Sequence, residues 1–254
     1  MLTDTHAHLD RHEFGGELEV ILAAARDAGV SRIVTIGIDN ATSRAAVALA
    51  EKYPFVWATV GVHPHDAAAE VDWEELGRLA RHPRVVAIGE CGLDYYRDLS
   101  PRDAQDVVFR RQIALAGEVA KPLVIHCRDA HADVTRILRE GATRPRRGVM
   151  HCFSGDVAQA NAYREMGFVI SLAGPVTYPN APKLKEVART LPLTEFVLET
   201  DCPWLAPQAK RGKRNEPAYV RYTAAEVAAL RGISIEEVAR ATSETAARLF
   251  EFPA

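Results

Sequence analysis

The chain has 254 residues, of which 48% are hydrophobic and 26% charged, and a net charge of −3. That is enough apolar content for one large domain or two small ones, and it excludes a disordered or low-complexity chain. No window approaches the ~18 consecutive apolar residues of a membrane span. The weak negative balance gives no overall attraction to nucleic acid, although a local basic patch can still hold phosphate.

An alternation runs through the whole sequence. Apolar, strand-like runs fall at 2–8, 32–37, 56–63, 85–90, 123–126, 148–151, 168–171 and 196–201. Between and after them come helical patterns near 17–28, 42–52, 73–81, 102–119, 131–140, 156–166, 180–190 and 217–230, with a ninth near 234–250. The strands are continuous apolar runs, as expected where both faces are buried. Pro54, Pro83, Pro122 and Pro192 stand between helical and strand patterns, where they stop helices. Asp156 and Ser234 read as N-caps, Ser234 with Glu237 as a capping box. Eight strands each followed by a helix predict a (β/α)₈ TIM barrel formed by a single domain over 1–254. A doubly wound open sheet would carry a glycine-rich fingerprint after its first strand. Here that strand ends in His6-Ala7-His8 instead.

Barrel chemistry gathers at the carboxyl ends of the strands. Strand one ends with His6 and His8, strand three with His63 and His65, strand four with Glu90. Strand five ends with His126, strand six with His151, strand eight with Glu199 and Asp201. Six of the nine histidines lie at such ends. A lone histidine on an apolar strand is most often structural. A His-x-His pair puts two imidazoles on one face, however, and six strands ending in imidazole or carboxylate converge on one mouth. We therefore expect one divalent cation on His6, His8 and Asp201 and a second on His126 and His151, with Glu90 bridging. Mixed nitrogen and oxygen donors suit Zn²⁺ or Mn²⁺ better than Mg²⁺, leaving the identity open.

Two cations ~4 Å apart activate a water for attack on a phosphodiester, neutralise its non-bridging oxygens and stabilise the leaving alkoxide. Asp201 could take the proton of that water, and Glu199 shares its strand face. For phosphate, the stretch Lys210-Arg211-Gly212-Lys213-Arg214-Asn215 follows strand eight on the same rim, with Arg97 and Arg128 after strands four and five. Tyr95, Tyr96, Phe153 and Trp204 sit in rim loops, where aromatics can stack unpaired bases or simply pack. Arg144-Pro145-Arg146-Arg147 precedes strand six and reads as a solvated loop at the opposite end. Each cysteine directly follows a ligand candidate: Cys91, Cys127, Cys152 and Cys202. Neighbours on a strand face opposite ways, so these thiols should pack away from the cations.

The ordered motifs resemble the TatD family of metal-dependent deoxyribonucleases almost from end to end. They are Asp4-Thr5-His6-Ala7-His8-Leu9-Asp10, Gly61-Val62-His63-Pro64-His65, and Gly89-Glu90-Cys91-Gly92-Leu93-Asp94-Tyr95-Tyr96. They continue with His126-Cys127-Arg128, His151-Cys152-Phe153-Ser154-Gly155, Glu199-Thr200-Asp201-Cys202-Pro203-Trp204 and Arg214-Asn215-Glu216-Pro217. Cys91, Cys202 and Thr245 depart from the usual pattern without touching the metal set. The resemblance implies hydrolysis of DNA with 3′→5′ exonuclease polarity on single strands, a role in DNA repair, and the same six ligands. It adds His63 and His65 beside the scissile phosphate. The expected partner is DNA, with no membrane and no obligate protein partner, and the absence of a basic-then-apolar opening predicts a cytoplasmic protein. Two rivals stand beside this reading. One is a metal-dependent amidohydrolase or esterase, which commonly bridges its metals with a lysine where Glu90 stands. The other is a nucleic-acid-binding protein with a vestigial metal site.

Overall fold

The computed structural model describes residues 1–140 and 147–252. Arg144, Pro145 and Arg146 of the second basic run lie outside the described residues. Eight strands form one sheet in chain order, every adjacent pair parallel. They are β1 (Leu2–Ala7), β2 (Val30–Thr35), β3 (Val56–Val60), β4 (Val85–Asp94), β5 (Leu123–Arg128), β6 (Gly148–Met150), β7 (Phe168–Leu172) and β8 (Phe196–Leu198). The helices between them are α1 (Leu18–Asp27), α2 (Asn40–Lys52), α3 (Trp73–Ala80), α4 (Arg102–Val119), α5 (His131–Glu140), α6 (Val157–Glu165), α7 (Pro182–Thr190) and α8 (Val220–Arg231), followed by α9 (Ile235–Phe250). This is the expected (β/α)₈ barrel.

Two apolar layers follow from strand alternation. One lies between the strands and the helices and includes Ile33, Val60, Ile88, Ile125, Ile170 and Leu198. The other fills the barrel from Val34, Trp57, Val86, Val124, Val149 and Val197, and α9 joins it with Ala246, Leu249 and Phe250. The ninth helix therefore packs across the barrel floor. Two residues beyond these interior valines, on the same strand face, stand His126, His151 and Glu199: the apolar plug ends where the polar site begins.

Three local details refine the sequence reading. β4 runs four residues past Glu90, to Asp94. β3 stops at Val60, and His63 instead caps the short turn Pro64–Asp66. Asp156 forms a full capping box with Gln159, whereas Ser234 only accepts from the Glu237 amide. The seam between β8 and β1 has no regular ladder. It is held by a single parallel bridge at Ala7 and Cys202, by Thr5 Oγ1 donating to Leu198 O at 3.0 Å, and by the Asp201 and His8 amides donating to His6 O and Cys202 O at 2.9 Å each.

Arg84 ties the loop between α2 and β3 to the start of β4. It donates to the carbonyls of Ala50 at 2.8 Å, Tyr53 at 3.2 Å and Pro54 at 2.8 Å, and to that of Val56, and lies 3.8 Å over the Trp57 ring. Arg84→Ala is expected to destabilise the barrel by about 2 kcal/mol, since it orphans half-buried carbonyls and removes a cation–π interaction. The urea midpoint should fall with an unchanged slope; an unmoved midpoint would show that water replaces the guanidinium without loss.

Candidate metal centre

The site is built around Glu90, which the backbone presses between β3 and β5. Gly89 and Gly92 flank it with φ of 144° and 136°, in the region that side chains disfavour. A Cβ at Gly89 would run into the Val124 carbonyl, and one at Gly92 into the His126 carbonyl. The β4–β5 register shifts between Ile88 and Cys91, so the close approach at Gly89 and the irregularity coincide at Glu90.

The two oxygens of this carboxylate face different histidine groups. Oε2 lies 3.4 Å from His6 Nε2 and 3.7 Å from His8 Nε2. Those nitrogens are 3.1 Å apart, and each is 3.6 Å from Asp201 Oδ1. Donors ~2.1 Å from one cation stand ~3.0–3.4 Å from each other, so His6, His8 and Glu90 are grouped closely enough to hold a single divalent ion, and Asp201 Oδ1 borders the two imidazoles. On the other side, Oε1 lies 2.9 Å from His126 Nδ1, 3.3 Å from His151 Nε2 and 3.4 Å from His63 Nε2. Groups able to hold an ion occur as His6, His8 and Glu90; as His63, Glu90 and His126; and as His6, His151 and Glu199. The His6 and His151 rings stack with centroids 3.6 Å apart, which joins the two sides into one pocket.

The electrostatics suit cation binding. Burial, aided by repulsion from His151, holds His6 below its ordinary pKa and leaves a neutral ring with a free lone pair. Burial pushes the Glu90 carboxyl up, but His151 and His63 and the hydrogen bonds from His126 and His6 outweigh it and keep Glu90 well below the usual range. Asp201 is likewise lowered, against its own burial, by His8, His151 and His6. Five of the six expected ligands fall within the ion-holding groups, though not all paired as expected: His126 stands with Glu90 and His63, and His151 with His6 and Glu199, while Asp201 lies beside His6 and His8.

Three further carboxylates support these groups. Glu199 Oε1 lies 3.0 Å from His151 Nδ1 and accepts from the Cys152 amide at 2.6 Å, so its partners are the site itself and no rim cation. Asp4 accepts from the Thr200 amide at 2.9 Å, the Thr200 hydroxyl at 2.6 Å and the His6 amide at 3.3 Å, fastening β1 to the segment that carries Asp201. Its carboxyl is pushed up to about 8, burial exceeding the effect of those donors. Asp94 lies behind His126 and His65. Neither Asp4 nor Asp94 stands out as functional in the sequence, although both share a strand face with a ligand, Asp4 with His6 and Asp94 with Glu90.

The TatD-related DNase family model matches residues 3–251. The chain belongs to that family. As a TatD-family member it is a metal-dependent hydrolase. It is 47% identical to the uncharacterized metal-dependent hydrolase YabD of Bacillus subtilis, over 98% of this chain and 99% of that protein. It is 35% identical to the 3′-5′ ssDNA/RNA exonuclease TatD of Erwinia tasmaniensis, over 97% of this chain and 98% of that one. The crystal structure of the Escherichia coli TatD homologue YJJV superposes with a TM-score of 0.93 at 34% identity, covering 99% of this chain and 98% of the other.

Around the TatD-type centre, the rim residues divide. Arg97 and Arg128 are exposed, with the Arg128 guanidinium 3.9 Å over Tyr96. Lys213 and Arg211 are exposed, Arg211 lying 4.3 Å over Tyr178, and half-buried Lys210 lies 5.1 Å over Tyr219. Two expected substrate contacts are placed otherwise. Asn215 is fully buried and donates to the Thr200 and Trp204 carbonyls at 2.8 and 2.6 Å, bracing the Asp201 loop. Arg214 is held by the Glu13 carbonyl at 2.6 Å, Glu17 at 2.9 Å and Glu216 at 3.2 Å, because acidic residues of the first βα loop reach it before any phosphate can. Of the aromatics, Phe153 is buried, and the Tyr95 hydroxyl donates to Asp133; Tyr96 and Trp204 remain exposed. Trp204 packs edge-on to His8, with ring centroids 5.0 Å apart. Cys91 and Cys202 are buried in the layer beneath the helices, and no cysteine enters an ion-holding group among the described residues. No described helix is long and apolar enough to cross a membrane.

Proposed function

We propose that this chain is a two-cation deoxyribonuclease that removes nucleotides from the 3′ ends of single-stranded DNA. One observation carries the reading: the two oxygens of a single buried carboxylate, Glu90, serve two separate groups of donors at the barrel mouth. His6, His8, Glu90 and Asp201 would hold one cation, and Glu90, His126 and His151 the other. When bound, such a pair supplies charge for the phosphodiester oxygens and acidifies water at neutral pH. This chain's own groups do the rest. Asp201 accepts the proton of the attacking water, and His63 and His65 face the phosphate undergoing attack. Arg97, Arg128, Lys213, Arg211 and Lys210 hold the neighbouring phosphates, and Trp204 and Tyr96 offer flat faces to unpaired bases.

The polarity and the preference for single strands follow the activity for which the Erwinia relative is named. Four free cysteines suit a reducing cytoplasm, where trimming of damaged DNA ends would use this activity. The test is end-labelled single-stranded DNA with Mn²⁺, Mg²⁺ or Zn²⁺ and with chelator, beside bis-p-nitrophenyl phosphate and an ester panel. Stepwise loss from the 3′ end, abolished by chelator, is expected. Turnover of esters alone would favour the amidohydrolase, and binding without cleavage in every metal would favour a vestigial site.

Replacing Arg97, Arg128 and Lys213 with alanine is expected to flatten the dependence of log K on log[salt] by ~0.7 for each phosphate of a single strand that is no longer neutralised. Fluorescence anisotropy across a salt series checks this; an unchanged slope would remove these three residues from the DNA path.

A further inference from the structure

The second cation's histidine and the neighbouring phosphate-facing histidine lean on the same atom. Asp94 Oδ2 lies 2.9 Å from His126 Nε2 and 3.0 Å from His65 Nε2. Its other oxygen is fixed, accepting from the Tyr96 amide at 3.0 Å and the Arg97 amide at 2.7 Å. Its backbone is fixed as well: buried Gln105 accepts from the Asp94 amide at 2.9 Å and donates to its carbonyl at 3.3 Å. Asp94 is 1% exposed, so water cannot replace it. His126 turns its remaining nitrogen, Nδ1, toward Glu90 at 2.9 Å.

We propose that Asp94 is a positioning residue that keeps His126 and His65 both protonated on Nε2, so that His126 offers a bare Nδ1 to the second cation while His65 is held over the same edge of the pocket. The inference rests on the two-cation reading above. An ionised carboxylate oxygen has lone pairs for two donors, which is what two Nε2–H groups require. A carboxylate behind a ligating histidine sets its tautomer and sharpens its basicity. One carboxylate shared between a ligand and a substrate-facing ring also links their movements: a shift of Asp94 disturbs cation and phosphate together.

Asp94→Asn separates these roles. The amides of Tyr96 and Arg97 still need an acceptor, so the side-chain oxygen stays with them and the NH₂ turns toward the two rings. An NH₂ cannot accept from Nε2–H. His126 is then driven to protonate Nδ1, the position the cation needs. Calorimetric titration of wild type with Mn²⁺ should show two binding phases, and Asp94→Asn should weaken one of them ~10–100-fold while sparing the other. Excess Mn²⁺ should restore much of kcat, whereas KM for DNA stays raised because His65 has lost its partner. Two unaltered phases in the variant overturn the Asp94 role alone. A single phase in wild type overturns the two-cation reading beneath it. Should the variant not fold, ¹⁵N NMR of Zn²⁺-loaded wild type decides: both rings protonated on Nε2 supports the proposal, and His126 protonated on Nδ1 overturns it.

Discussion

Glu90→Gln is expected to lower turnover of single-stranded DNA by at least ~10³-fold at saturating Mn²⁺, about 4 kcal/mol of transition-state stabilisation. Glutamine keeps the volume and the backbone, so the Gly89 and Gly92 approach to β5 is undisturbed. It loses the charge, however, and replaces one oxygen with an NH₂ that cannot serve the donors on its side. His6 and His8 gather at Oε2, and His126 and His151 at Oε1, so whichever way the amide turns, one cluster loses its anion. Calorimetry should show at least one Mn²⁺ phase lost, with the melting temperature of the metal-free protein nearly unchanged. A variant turning over within tenfold of wild type would remove Glu90 from the shared position.

Asp201→Asn is expected to reduce kcat by ~10²–10⁴-fold, the span attributed to a positioned general base. Asn is the informative choice because Asp201 has φ of 56°, in the left-handed region that Asn tolerates and Ala resists. The backbone and its bridge to His6 O should therefore persist. The Asp201 carboxyl is held below its ordinary range in spite of burial, by its hydrogen bond to His8 and by the fields of His151, His6 and His8. Wild type thus carries the carboxylate throughout the neutral range, and the deficit of the variant should be the same at every pH from about 6 to about 9. A deficit confined to one limb of the profile would assign the proton transfer to another group.

The candidate donor set was legible in the sequence because each of its members lies on or just beyond the carboxyl half of a buried strand, and a parallel barrel brings those segments to one mouth whatever the loops do. The supporting groups were less legible, for reasons particular to each. Asp94 lies four residues past Glu90 on a strand that continues beyond an irregularity at Gly89 and Glu90. Asp4 sits inside an apolar run, where its partner Thr200 lies 196 positions away. The basic stretch after β8 misled in part. Charge alone does not distinguish Lys213, which is exposed, from Arg214, whose acidic partner Glu17 comes from the opposite end of the chain. Nor does composition distinguish a rim amide from Asn215, which braces a loop. The fold itself came from periodicity, and α9, the helix beyond the eight-fold repeat, proved to be the barrel's floor.

The seam between the first and last strands has a temporal consequence. His6 and His8 are made long before Asp201, and the join that brings them together spans residues 193 apart at Thr5 and Leu198. A chain still on the ribosome, or one clipped before its final strand, holds only part of the donor set for the first cation. Any hydrolytic power that needs the whole donor set therefore arrives late, with ring closure.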